Sequence, residues 1–185
     1  VTTGETGAAR LLGGLPGARA AVEAIDLIRL LGHGQQLALD ERKADAVTCY
    51  EVLAVPAPLR TPEYAEVFDP AATPRSPTAP RYTFYLHEAA LLTPVGGPAV
   101  MTAQLRALAE SPWPVRVVPF TAGARPSLLR PFVYLEFADA PAVAYSGGRP
   151  EVAGEHRAAL VELDRLAWDA DRTRVELRGR AWSAR

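Results

Sequence analysis

Cysteine occurs once in this chain, at Cys49, and methionine once, at Met101. A single cysteine excludes an internal disulfide framework and a thiolate metal cluster, and it fits a reducing, cytoplasmic setting. Histidine is scarce as well, limited to His33, His87 and His156. His87-Glu88 opens like the zinc-protease pattern His-Glu-x-x-His, but position 91 is Leu, so the second imidazole is missing. Three dispersed histidines leave no three-ligand zinc set, and no metal is expected. Lysine is reduced to Lys43, so nearly all of the positive charge is arginine. No lysine follows a glycine loop, which removes a P-loop. Gly-x-Gly-x-x-Gly and Gly-x-Ser-x-Gly are both absent, so neither a dinucleotide fingerprint nor a nucleophile elbow is present, and no cofactor is expected.

No run approaches the roughly 20 apolar residues that cross a bilayer, and no basic region precedes an apolar core. No membrane association is expected. The formal net charge of −1 supplies no basic surface for nucleic acid.

What is present is ordinary globular composition. Hydrophobic residues make up 49% and charged residues 22%, which places the chain among folded proteins rather than disordered tails. At 185 residues it accommodates one domain, or one domain and a small appendage.

The first 18 residues are rich in Gly and Thr and read as loosely ordered. Ala21, Ala24, Ile25, Ile28 and Leu31 then fall on one helical face, stopped by Gly32 and Gly34. Residues 36–54 read as a second helix, with Leu39, Ala46 and Tyr50 on its stripe and Glu41, Arg42 and Lys43 toward solvent. Pro56 and Pro58 end it. Thr61-Pro62-Glu63 is a helix start, with a capping side chain before proline at the first helical position. Residues 70–80 form a proline-punctuated loop.

Residues 81–88 alternate as a strand, with Tyr82, Phe84 and Leu86 opposing Thr83 and Tyr85. Gly96-Gly97-Pro98 precedes a helix carrying Met101, Leu105 and Leu108. A short strand follows at 115–120. The segments 131–137 and 142–145 read as paired strands joined at Asp139-Ala140-Pro141. The tail has an amphipathic helix with Ala159, Leu160, Leu163, Leu166, Ala167 and Ala170 on its stripe. A shorter charged helix with Val175 and Leu177 closes the chain. Strands and helices intermingle without strict alternation, which predicts an α+β fold with a small mixed or antiparallel sheet packed by helices.

Arg81, Tyr85, His87 and Glu88 form the polar-aromatic group with the most chemistry, at a junction between strand and helix. His87 titrates near neutral pH in its ordinary state, and Glu88 beside it could orient a partner. The competing reading is that Glu88 serves the helix start and His87 is a surface residue. Phe132, Tyr134 and Tyr145 on the paired strands complete the ligand-binding candidates, and His87, Glu88 and Tyr145 are the catalytic candidates. Ser146 before Gly147-Gly148 reads as a turn residue at a strand end. Cys49 reads as a small buried hydrophobe. Trp113, Trp168 and Trp182 form no spaced ladder for stacking bases.

Three segments carry a family resemblance. VPAPLRTPEYAEVF (55–68) resembles the hallmark V-P-G-L-L-Q-T-x-x-Y-A. Residues 86–110 are similar to a D-E-A-A-L stretch followed by V-G-G, a methionine and Q-L-x-x-L. Residues 115–145 resemble V-x-V-L-P-F-x-x-G with an F-x-x-L-x-F strand and a partner strand ending in tyrosine. Together they resemble the C-terminal domain of unknown function of Xre-like, antitoxin-like helix-turn-helix transcription regulators. The match in order and spacing runs from about residue 38 to the end. It implies a sensor or interaction domain of no established catalytic activity, modulated by a small molecule or a small partner protein.

On that resemblance, residues 1–35 are an extension with one helix and no complete helix-turn-helix, and 36–185 are the effector-type domain. The domain would stand alone, with no direct DNA binding from this chain. The departures fall on polar positions: Ala57 and Arg60 for glycine and glutamine, His87 for aspartate, Arg125 near a usual histidine, and Ser146 where glutamate is frequent. The proline loop takes the place of an Arg-rich helix. Two further readings stand beside the regulator. One is a cofactor-independent cyclase or isomerase of specialised metabolism, from a biosynthetic gene cluster, using Arg81, Tyr85, His87, Glu88 and Tyr145. The other is a structural module pairing as a homodimer through its terminal helix.

Overall fold

The computed structural model describes residues 35–70 and 77–183. The helix expected between Ala21 and Leu31 and most of the proline loop lie outside the described residues. Among the described residues the order is α1 (35–41), β1 (Ala46–Glu51), α2 (Pro62–Phe68), β2 (Tyr82–His87), α3 (Glu88–Leu92), α4 (Pro98–Ala109), β3 (Val115–Val118), β4 (Phe132–Glu136), β5 (Val143–Ser146), β6 (Arg149–Glu151), α5 (Ala153–Leu166) and α6 (Ala170–Ser183). The strands form one sheet in the order β3-β2-β1-β4-β5-β6. β1, β2 and β3 run parallel, and β4, β5 and β6 are added antiparallel. The fold is α+β with a mixed sheet, as the sequence predicts. No helix among the described residues is long and apolar enough to cross a membrane.

Local signals place several elements. Thr61 Oγ1 accepts from the Tyr64 amide at 3.3 Å, with Pro62 in the first turn of α2. Pro98 likewise opens α4 after Gly97. Gly96 sits at φ +66°, and a Cβ there would meet Val100 Cγ2 at 2.8 Å, so the turn into α4 requires glycine.

The helix expected across 36–54 is corrected. Only residues 35–41 are helical, and Ala46–Glu51 is the central strand, paired with β2 on one side and β4 on the other. Val47 and Cys49 point to one face and Tyr50 to the other, and all three are buried. A segment covered on both faces loses the polar alternation that marks a half-exposed strand, which is why a helical stripe could be drawn through it. The assignment of Glu41 to solvent is also corrected, since Glu41 is buried while Leu39 is 49% exposed.

The C-terminal stripe also divides. α5 stops at Leu166, and α6, at 14 residues, equals it in length instead of being the shorter piece. The Trp168 amide donates to Val117 O at 2.8 Å and ties the link to edge strand β3. Asp169 Oδ1 accepts from the Arg172 amide at 2.7 Å at the start of α6. Val175 is 69% exposed, whereas Leu177 is buried.

Each face of the sheet has its own core. Cys49, Phe84, Leu86, Val117 and Leu135 pack under Leu105 and Leu108 of α4 and Leu177 of α6. Tyr50, Tyr85, Phe132, Tyr134 and Ala144 pack under Ala159 and Leu163 of α5. Gln104, fully buried on α4, accepts from the Thr61 amide at 2.8 Å and donates to Leu59 O at 2.8 Å. It fastens the turn before α2 to the first core.

Candidate functional site

β1, β2 and β3 end side by side, and the chain then crosses from edge strand β3 to β4 on the far side of β1. Open sheets with parallel strands offer their ligand crevice at such carboxyl ends, where the connections diverge. Here the crossing segment 119–131 bends through two short 3-10 turns, Phe120–Ala122 and Pro126–Leu128, and leaves a hollow of about 290 Å³. Tyr50 enters it from β1 and Val52 from just past its end, His87 from β2, Val118 from β3, and Phe120 and Arg125 from the crossing segment. Tyr50 secures the segment by donating from its hydroxyl to Leu128 O at 3.0 Å. Burial pushes the Tyr50 phenol up to about 12, with Glu51 adding to the shift.

His87 is both a helix cap and a lining residue. Its Nδ1 accepts from the Ala89 amide at 3.1 Å, and its ring meets Phe120 edge-on at 5.0 Å. An accepting Nδ1 puts the proton of the neutral ring on Nε2. Burial holds the imidazole below its ordinary range, with the nearby Glu88 charge pulling the other way. Glu88 begins α3, and its carboxylate is committed twice. It accepts from the Phe120 amide at 2.8 Å and pairs with Arg180 of α6. The helix-start reading of Glu88 from the sequence thus acquires a long-range partner on each oxygen.

Tyr85 lies on the same face as His87, two residues back along β2, yet it belongs to a different network. Its hydroxyl donates to Asp164 and accepts from Arg116 Nη1 at 3.1 Å. Arg116 also pairs with Asp164 at 2.6 Å and reaches the Asp164, Ala167 and Trp168 carbonyls. It thereby closes the carboxyl end of α5, a favourable place for a cation. Burial and the Asp164 bond push the Tyr85 phenol up to about 12, against the opposing pull of Arg116.

Tyr145 stands on the opposite face of the sheet. It pairs in register with Val133, which pairs with Cys49, which pairs with Phe84, whereas His87 continues the row of Tyr85. Its hydroxyl donates to Asp40 at 2.5 Å, and burial followed by that bond raises its pKa. A second hollow, of about 270 Å³, opens beside it and is also bounded by Cys49, Arg60 and Phe132. Phe132 meets Tyr50 at 5.7 Å and the His156 ring at 4.9 Å. Tyr134 is buried in the second core beneath α5. Arg81 lies at the other end of β2, about six strand residues and so roughly 20 Å from His87, with a 3.4 Å contact to Asp45 O.

The structure therefore brings His87 and Glu88 together, keeps Tyr85 in a structural network, and separates Arg81 and Tyr145 from both. Ser146 is neither exposed nor a turn residue. It ends β5, is buried, and donates to Pro131 O at 3.0 Å. The turn is Gly147-Gly148, with φ of +56° and +76°, and it leads into β6, which the sequence reading missed. Tyr50, Phe120 and Arg125 were not among the expected site residues. The one signal available in sequence was Arg125, a departure from the pattern next to the glycine turn. Among the described residues no three His, Cys, Asp or Glu side chains group around a metal position.

Compared with known families, the chain matches the model of a domain of unknown function, DUF5753, over residues 69–179. No curated protein and no solved structure matches it. The matched stretch runs from the end of α2 into α6 and includes five of the six strands and the whole crossing segment. With more than half of its length matched, the chain belongs to the DUF5753 family.

Proposed function

We propose that this chain is a non-enzymatic regulatory domain that binds a small molecule or a small partner protein at the carboxyl end of its parallel strands. The observation that carries this reading is the state of the polar groups around the hollow. Among the described residues no carboxylate lines it, and Glu88, next to the lining His87, is held by Phe120 and Arg180. The wall keeps His87, Arg125 and an apolar body. A site with donors and apolar surface but no disengaged carboxylate suits binding and lacks a paired acid and base. The cyclase or isomerase alternative required His87, Glu88 and Tyr145 around one cavity, and the sheet lies between the first two and the third.

The resemblance of the 55–68, 86–110 and 115–145 segments to the C-terminal domain of Xre-like, antitoxin-like regulators supports the regulatory half of the reading. In that role the domain acts in the cytoplasm alongside a helix-turn-helix unit and does not itself contact DNA. A cell extract of the encoding organism passed over the purified chain tests this directly. Identifying what is retained, returning it to the protein and following it by mass spectrometry should give stoichiometric binding with the molecule unchanged. Conversion to a product overturns the reading, as does a sequence-specific gel shift by residues 36–185 alone.

A further inference from the structure

The hollow at the strand ends has an uneven chemistry. Among the described residues Arg125 is the one charged residue lining it. Among the described residues no hydrogen bond or ion pair engages the Arg125 guanidinium, and its Nε is buried without a partner. A buried, unpaired guanidinium nitrogen is costly to maintain, because it gives up hydration with no acceptor in return. His87 contributes a second donor, since its Nδ1 is occupied by the Ala89 amide and Nε2 carries the proton. The Tyr50 hydroxyl has its proton on Leu128 O. The remaining wall is apolar, from Val52, Val118, Phe120, Leu128 and Leu129, and Phe120 and Leu129 are more than half exposed.

We propose that this hollow binds a small organic acid, a monoanionic carboxylate on an aromatic or short aliphatic body, with the carboxylate on Arg125 and His87 and the body against Phe120 and Leu129. The proposal rests on the binding reading given above and specifies its ligand. A planar carboxylate accepts from a guanidinium in fork geometry. One guanidinium and one neutral imidazole suit a single negative charge. A phosphate dianion would call for more donors, and no lysine lines the site. At about 290 Å³ the hollow sits at the lower limit of small-molecule sites, roughly 300–1,000 Å³, which limits the body to one or two rings or a short chain.

The probe pair is 2-naphthoate and its neutral amide, 2-naphthamide, which share shape and differ in charge. Calorimetric titration of the full chain should give one naphthoate per protein, bound at least tenfold more tightly than the amide. Arg125→Leu should remove that preference. Leu129→Asp, at an exposed position, removes an apolar contact from both probes and sets like charges together for naphthoate alone, so it should weaken naphthoate by a clearly larger factor than the amide, with circular dichroism confirming that both variants are folded. Equal binding of the two probes, a preference that survives Arg125→Leu, or no naphthoate binding at millimolar concentration overturns the proposal. The general reading fails separately. A neutral molecule retained from extract and returned unchanged overturns the acid assignment and leaves the binding domain intact, whereas turnover of any retained molecule overturns the binding domain itself.

Discussion

The Glu88 carboxylate accepts the Phe120 amide at 2.8 Å, joining the first residue of α3 to the segment that leaves β3. Its other oxygen pairs with Arg180, so one side chain holds the crossing segment, α3 and the last helix in register. Removing it as Glu88→Ala leaves the Phe120 amide and a largely buried guanidinium, whose Nε already lacks a partner, without their acceptor. The expected loss is about 2–3 kcal/mol in urea denaturation. Glu88→Gln keeps an acceptor for Phe120 and should lose about half as much. Equal losses would show that the amide contact contributes nothing.

Gln104 of α4 is a second fastener on the same face. Gln104→Met preserves volume but strips the acceptor from the Thr61 amide and the donor from Leu59 O. A loss of about 2–4 kcal/mol is expected, because both backbone groups are partly buried. Amide exchange should quicken at Thr61 and in the first turn of α2 before it quickens in the sheet.

Gly96→Ala places a Cβ 2.8 Å from Val100 Cγ2 in a left-handed backbone conformation. Both the contact and the φ of +66° oppose it, and a cost of about 1–3 kcal/mol is expected. Measured against Val100→Ala alone, Gly96→Ala should cost less in the double variant, since the Cγ contacts are gone while the 3.0 Å approach to the Cβ of residue 100 and the backbone strain remain.

Tyr50 and Tyr85 govern the alkaline limit. Each phenol ionises near 10 in the unfolded chain and is pushed up to about 12 in the folded one. The folded state then holds more protons than the unfolded state between those values, so stability is intact below pH 10 and falls as pH rises through 12. The decline is on the order of 2 kcal/mol for each tyrosine by pH 12. Tyr50→Phe should remove its own share of the decline and leave those of Tyr85 and Tyr145, and ultraviolet phenolate absorbance should show the delayed ionisation directly. A denaturation midpoint constant from pH 9 to pH 12 would contradict this.

His87 and Glu88 were legible as neighbours at a strand-to-helix junction, because a strand pattern runs directly into a helix start there. Tyr145 was legible as a buried strand tyrosine but not as to its face. One step of register moves a side chain through the sheet, and register comes from pairing with residues far along the chain. Phe120 and Arg125 gave little signal, because their place in the hollow depends on a crossing from β3 to β4 that short-range patterns do not encode.

By itself the sequence determined the elements that carry their own punctuation. Thr61-Pro62 and Gly97-Pro98 set helix starts through caps and a pre-formed φ, and the alternation of 82–87 and the turn between β4 and β5 set strands. Those instructions are local and hold wherever the segment is placed. Tertiary structure alone decided that residues 46–51 form a strand, since pairing on two edges and burial on two faces outweigh a weak helical stripe. It also decided that Glu88 holds the fold together, that Tyr145 faces away from His87, and that Arg125 stands unpaired at the mouth of three strands. Each of these depends on contacts between distant segments, whose geometry exists only once the sheet has closed around β1.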